Sequence, residues 1–84
     1  MILKAFSIKD TVVGNFQAPF YQYNRGAAIR AISNAVNDER ENEIKANYKD
    51  KQLYELGEYN DETGELKSKV EFVVNLNDLK QKAE

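Results

Sequence analysis

The sequence predicts an α+β fold: a small three-stranded sheet in the order β-α-β-β, with the main helix packed on one face and a short C-terminal helix as a final element. Three observations carry this expectation. Residues 2–9 (ILKAFSIK) alternate in period two with apolar side chains on both sides. Residues 25–36 (RGAAIRAISNAV) repeat small and aliphatic residues at helical spacing, and residues 53–64 (LYELGEYNDETG) pass from aromatic and aliphatic alternation into a polar turn closed by glycine. With 84 residues the chain is read as a single domain spanning 1–84, large enough for one thin core. The hydrophobic fraction of 42% is rich in alanine and tyrosine, so assembly into a homo-oligomer is expected to supplement modest aliphatic burial.

Apolar residues on both sides of the alternation make residues 2–9 a central strand. The Thr11-Val12-Val13-Gly14-Asn15 stretch fits either a short strand extension or an irregular excursion. Pro19 forces Ala18 into extended backbone, and Phe16, Phe20, Tyr21 and Tyr23 crowd the same connection with rings. The two phenylalanines are expected in the core, because Phe is buried far more often than it is displayed. Asn24 is positioned to cap the helix that follows. Ala28, Ile32, Ala35 and Val36 form its apolar stripe, Ile29 borders it, and Arg25, Arg30 and Asn34 face solvent or a partner.

Residues 38–51 are strongly charged, with Ile44 and Tyr48 as their large anchors, which predicts a surface connection holding one helical turn near residues 41–46. On the strand that follows, Leu53, Glu55, Gly57 and Tyr59 are expected on one face and Tyr54, Leu56 and Glu58 on the other. Asn60-Asp61-Glu62-Thr63-Gly64 then supplies hairpin turn chemistry. Residues 65–75 alternate Leu66, Ser68, Val70, Phe72 and Val74 against Lys67, Lys69, Glu71, Val73 and Asn75, a half-buried strand. Asn75 or Asn77 caps a last helix over residues 78–84, attached by Leu76 and Leu79 and expected to fray. A right-handed crossover would make the first two strands parallel if they are neighbours.

The composition speaks against an enzyme. Cysteine and histidine are both absent, which removes disulfides, thiolate chemistry, the usual general base and the commonest metal ligand. No cofactor is expected. The carboxylates of residues 59–64 lack the twelve-residue spacing and flanking helices of a calcium loop. Glu55 and Glu58, an odd number of positions apart on a regular strand, point to opposite faces and cannot form an acid/base pair. Nowhere do about 18 apolar residues run together, nor does a basic leader precede an apolar run, so a cytosolic protein without membrane contact is expected. Charge is unevenly placed: residues 1–37 sum to +3 and residues 38–84 to −5, which permits an anionic ligand on the N-terminal half.

Two surfaces follow as candidates. Aromatic rings interleaved with cations suit single-stranded nucleic acid, where rings stack on bases and cations meet phosphates. Tyr21, Tyr23, Arg25 and Arg30 are the residues of choice, and Lys4 and Lys9 extend the patch. The second is the edge of the last strand at Val70, Phe72 and Val74, which could pair with a partner's strand or another copy.

Pro19-Phe20, the Ala28-Ile29-Arg30 helix segment, Val36-Asn37-Asp38, and then Tyr48-Lys49-Asp50-Lys51-Gln52 leading through residues 53–59 to Asp61-Glu62-Thr63-Gly64 together resemble the small non-structural protein of gokushovirus-type microviruses, the fifth open reading frame family of these single-stranded DNA bacteriophages. The resemblance covers most of the chain in order. Members often carry a proline-containing run before the second strand, replaced here by Ala46-Asn47-Tyr48-Lys49-Asp50. The resemblance implies a non-capsid phage protein acting in the cytoplasm of the infected bacterium in genome replication. By analogy with the C protein of related microviruses, it implies a shift from double-stranded intermediates to single-stranded genomes. The leading expectation is a non-enzymatic oligomer that binds single-stranded viral DNA or the replication complex. The alternative is a protein-interaction factor that engages a host or viral replication protein without touching DNA.

Overall fold

Three residues of the aromatic connection, Phe20-Tyr21-Gln22, form a strand of their own, and the sheet therefore has four strands instead of three. The computed structural model describes residues 1–81. Its strands are β1 (Ile2–Asp10), β2 (Phe20–Gln22), β3 (Lys51–Asn60) and β4 (Leu66–Asn75), with one helix, α1 (Arg25–Val36). They are ordered β2-β1-β3-β4, and every neighbouring pair is antiparallel. The expected three-stranded sheet with parallel first strands is thus corrected. The extra strand has a physical basis: Pro19 sets an extended entry, and Phe20 and Tyr21 are bulky residues that suit a pleated surface beside Phe6 and Ala5. Because β2 already reverses the chain, α1 connects β2 to β3, which run parallel to each other on either side of β1. The helical crossover therefore joins that split pair and not β1 and β3.

The core lies between α1 and one face of the sheet. Phe6, Ile8, Leu53, Ala28, Ile32, Val36 and Leu76 are buried there. Ala28 is buried against the sheet side, as its place in the apolar stripe predicts, and the Asn24 side chain caps α1 by accepting from the Ala27 N–H at 2.8 Å. Ile44 and Tyr48 pack on this core from the charged connection, as expected, with one α-turn closed by Ala46 N–H to the Asn42 carbonyl at 3.0 Å. The end of the chain differs from the expected helix. Residues Leu76–Leu79 form a single 3₁₀ turn that buries Leu76, and Asn37 holds it by donating to the Leu79 carbonyl at 2.9 Å. Residues 82–84 of that expected helix lie outside the described residues.

Register shifts decide which side chains share a face. Ala5 pairs with Gly57 while Phe6 pairs with Glu55, so Leu56 is an extra residue in β3. The strand's alternation is reset there. Leu53 and Glu55 point to the helix side, beside Ile8 and Phe6, but Gly57 and Tyr59 fall with Ala5 and Leu3 on the opposite face. The expectation that all four share one face is corrected by this bulge. For the same reason Glu58, opposite Lys4, lies on the same side as Glu55 and not across the sheet from it. β4 carries two further shifts against β3. One lets Val73 and Val74 both pack on the core. Phe72, opposite Tyr54, then stands on the other face, so Val70, Phe72 and Val74 do not form one continuous stripe.

Candidate functional site

The sheet face not covered by α1 is built from Leu3, Ala5, Ser7 and Lys9 of β1 and the residues paired with them. Its floor is small: Ala5 lies beside Gly57, which pairs with Ser68. Aromatic residues stand on both sides of that floor. Phe16, Tyr54 and Phe72 form one row across three parts of the chain, with Phe16 to Tyr54 centroids 5.2 Å apart at 82° and Tyr54 to Phe72 centroids 5.8 Å apart at 78°. Both are edge-to-face geometries, the arrangement the ring quadrupoles favour. On the other side Tyr21 tilts over Tyr59 at 5.6 Å, near Leu66, which pairs with Tyr59.

Local chemistry holds each ring. The 11–19 segment is closed onto β1 by Asp10, whose carboxylate accepts from the Val12 and Val13 N–H groups, and by Gly14 at φ 89°. Gln17 is tied twice, its N–H donating to the Ile8 carbonyl at 2.8 Å and its carbonyl accepting from Ser7 Oγ at 2.6 Å. These bonds place Phe16 opposite Lys9. Phe16 is 43% exposed; the expected core position holds only for Phe20, which stacks on Phe6 at 5.8 Å. Tyr54 is steadied through its hydroxyl, which donates to Gln52 Oε1 at 3.3 Å, while Gln52 Nε2 donates to Asn75 Oδ1 at 3.0 Å. A row of amide groups therefore borders the aromatic row.

Lys9 is the cation of this face. Its Nζ lies 5.7 Å from the Phe16 ring centroid and 5.8 Å from that of Tyr54, within cation–π range. No carboxylate among the described residues lies within ion-pair distance of it. The face thus offers exposed π surfaces and one uncommitted positive charge, bordered by side-chain amides.

The sequence-derived candidates are divided between two sides. Tyr21 and Lys9 lie on the open face. Tyr23 is 66% exposed in the turn between β2 and α1. Lys4 and Arg25 belong to the helix side, where both are engaged by the buried carboxylate of Glu55, at 3.6 and 3.2 Å. Arg25 also reaches Glu71 at 3.2 Å, and Glu71 takes Lys69 at 3.0 Å. The Glu71 carboxyl is held below the usual carboxylate range by the hydrogen bond from Lys69 and then that from Arg25. Arg25 is held above its ordinary value by Glu71 first and Glu55 second. These cations are committed within the fold. Arg30 is exposed on α1, lining an open surface groove of about 550 Å³ with Gln22, Asn24 and Asn34.

Sequence reasoning missed Tyr54, Tyr59, Phe16 and Phe72 as one surface. The alternation did separate Tyr54 from Leu53, but the cross-strand partners that assemble the rows depend on bulges with no signature of their own. Among the described residues no group of three or more Asp or Glu side chains is arranged to hold a metal ion, and no helix is long and apolar enough to cross a membrane.

These features define a small α+β protein with one helix on one side of an antiparallel sheet and an aromatic, partly exposed surface on the other. The chain belongs to the Phage ORF5 protein family, whose model matches residues 3–79 and so takes in every element from β1 to the last 3₁₀ turn. The bacteriophage origin implied by the sequence resemblance is therefore established. No curated protein and no solved structure matches the chain.

Proposed function

We propose that this phage protein binds single-stranded DNA on the helix-free face of its sheet and thereby supports production of single-stranded viral genomes in the cytoplasm of the infected bacterium, as in gokushovirus-type microviruses. The observation that carries the reading is the Phe16–Tyr54–Phe72 row, exposed at both ends and crossed by Lys9. Unpaired bases stack on such rings, whereas a duplex hides its base faces. Membership in a phage family supports the setting. A single cation gives each copy a weak electrostatic grip, so oligomerisation along a strand supplies affinity by making later contacts intramolecular. The chain acts here without catalysis or cofactor.

The test is fluorescence anisotropy with labelled single-stranded and duplex oligonucleotides at several salt concentrations. The expected result is preference for single strands with a shallow salt slope, about −0.7 per neutralised phosphate. Absence of binding at low salt by folded protein would overturn the proposal.

A second reading, engagement of a host or viral replication protein without DNA contact, is favoured by one observation. β4 is a ten-residue outer strand with Val70 and Phe72 exposed, a form open to strand addition. Its two register shifts and its exposed Lys67 and Lys69 work against such pairing, which places it second.

A further inference from the structure

On the helix side, away from the aromatic face, Lys51 stands out among the cations. Its residue is 6% exposed, and its Nζ donates to the Glu43 carbonyl oxygen. An ammonium has three donors, and this neutral carbonyl is its one hydrogen-bond partner among the described residues. No carboxylate there comes within ion-pair distance of it. Asp10, its cross-strand neighbour, is already occupied by the Val12 and Val13 N–H groups. Buried charge is costly unless it is paired, and the other strongly buried ionic residue, Glu55, has both Lys4 and Arg25.

Lys51 lines an open surface cavity of about 660 Å³ bordered by β1, α1 and the connections on either side of the helix. The other walls are largely apolar, including Ile8, Phe20, Ile32, Ile44 and Ala46. This volume is within the range of small-molecule sites, which combine apolar walls with a few polar anchors.

We propose that this cavity binds a small amphipathic carboxylate, its head on Lys51 Nζ and its hydrocarbon body against Ile8, Phe20, Ile32 and Ile44. The carboxylate supplies the missing countercharge and the chain fills apolar space. The site is independent of the DNA reading and survives its failure. It also gives the 38–50 connection a role in binding, since the Glu43 carbonyl anchors Lys51 and Ile44 lines the cavity on that side.

The probes are decanoate and decanol, titrated into the full-length protein labelled at isoleucine methyl groups and followed by NMR. Saturable shifts at Ile8, Ile32 and Ile44 are expected, with decanoate binding about tenfold or more tighter than decanol because a charge-assisted bond replaces a neutral one. Lys51→Met should erase that preference. Ala46→Phe, a change at an exposed wall residue, should weaken both ligands in a chain that keeps its fold. Equal affinity of the wild-type protein for the two ligands, or shifts that do not saturate, would overturn the proposal without recourse to either variant.

Discussion

Gly57 faces the Lys67 carbonyl so closely that a methyl group at its Cα would overlap that oxygen, and its φ of 139° is one that residues with a side chain rarely adopt. The position follows the Leu56 bulge and carries β3 from the core side to the open face. Tyr59 reaches Tyr21 because of it.

Gly57→Ala should therefore destabilise the fold by about 3 kcal/mol or more, combining positive-φ backbone strain with overpacking against the β4 backbone. Gly64→Ala is the matched comparison, since it has positive φ (76°) but open space around it, and should cost only about 1–2 kcal/mol. Urea denaturation of both variants measures the difference. Equal losses would mean that β4 yields.

Phe72→Ala should weaken single-stranded DNA binding by about 1–3 kcal/mol, the usual worth of one stacked base. Phe72 is 48% exposed, so its loss should leave the unfolding midpoint little changed. Phe16→Ala, at the opposite end of the row, should act in the same direction. Anisotropy at one low salt concentration reads both, and unchanged affinity in the pair would remove the row from the binding surface.

Much of the fold is legible in the sequence because local chemistry and periodicity agree there. Asn24 caps α1, Ala28, Ile32 and Val36 face the core, and Asn60 with Gly64 closes the hairpin. Strand β2 was hidden because three residues are too few for periodicity to register, and only pairing to Lys4, Ala5 and Phe6 makes them a strand. The candidate site was legible in residue types but not in grouping. Arg25 and Lys4 looked free because Glu55, 30 and 51 positions away in sequence, comes to them only in the folded sheet. Tyr54 and Phe16 looked unrelated for the same reason.

Arg25→Glu and Arg30→Glu should separate for that reason. Arg25 bridges Glu55 and Glu71, so reversal adds a third carboxylate beside Glu71 and the buried Glu55. A loss of about 1–3 kcal/mol in stability is expected, below the full value of a broken buried pair because Arg25 is itself partly exposed. Arg30 has no ion pair among the described residues, and its reversal should leave stability within about 0.5 kcal/mol. Thermal unfolding distinguishes the two. If DNA binding falls only in the Arg25 variant, in proportion to its unfolded fraction, the defect is structural.

Asp38 gives a pH signature with a defined sign. Hydrogen bonds from the Arg40 side chain, at 3.2 and 3.1 Å, and from its backbone N–H, at 2.9 Å, hold the carboxyl at about 2, below its ordinary 3.8. Between those values the unfolded chain binds more protons than the folded one, so stability rises with pH. The contribution is complete above about pH 4 and is lost as pH falls toward about 2. Because the site is at the surface, salt should shrink it. In Asp38→Asn the slope of stability against pH should flatten across this window, while a slope set by Glu71, whose carboxyl is also lowered, persists. Urea denaturation from pH 2 to 5, at low and high salt, tests the assignment; a variant with the wild-type slope would show that the Asp38–Arg40 contact does not outlast solvent competition.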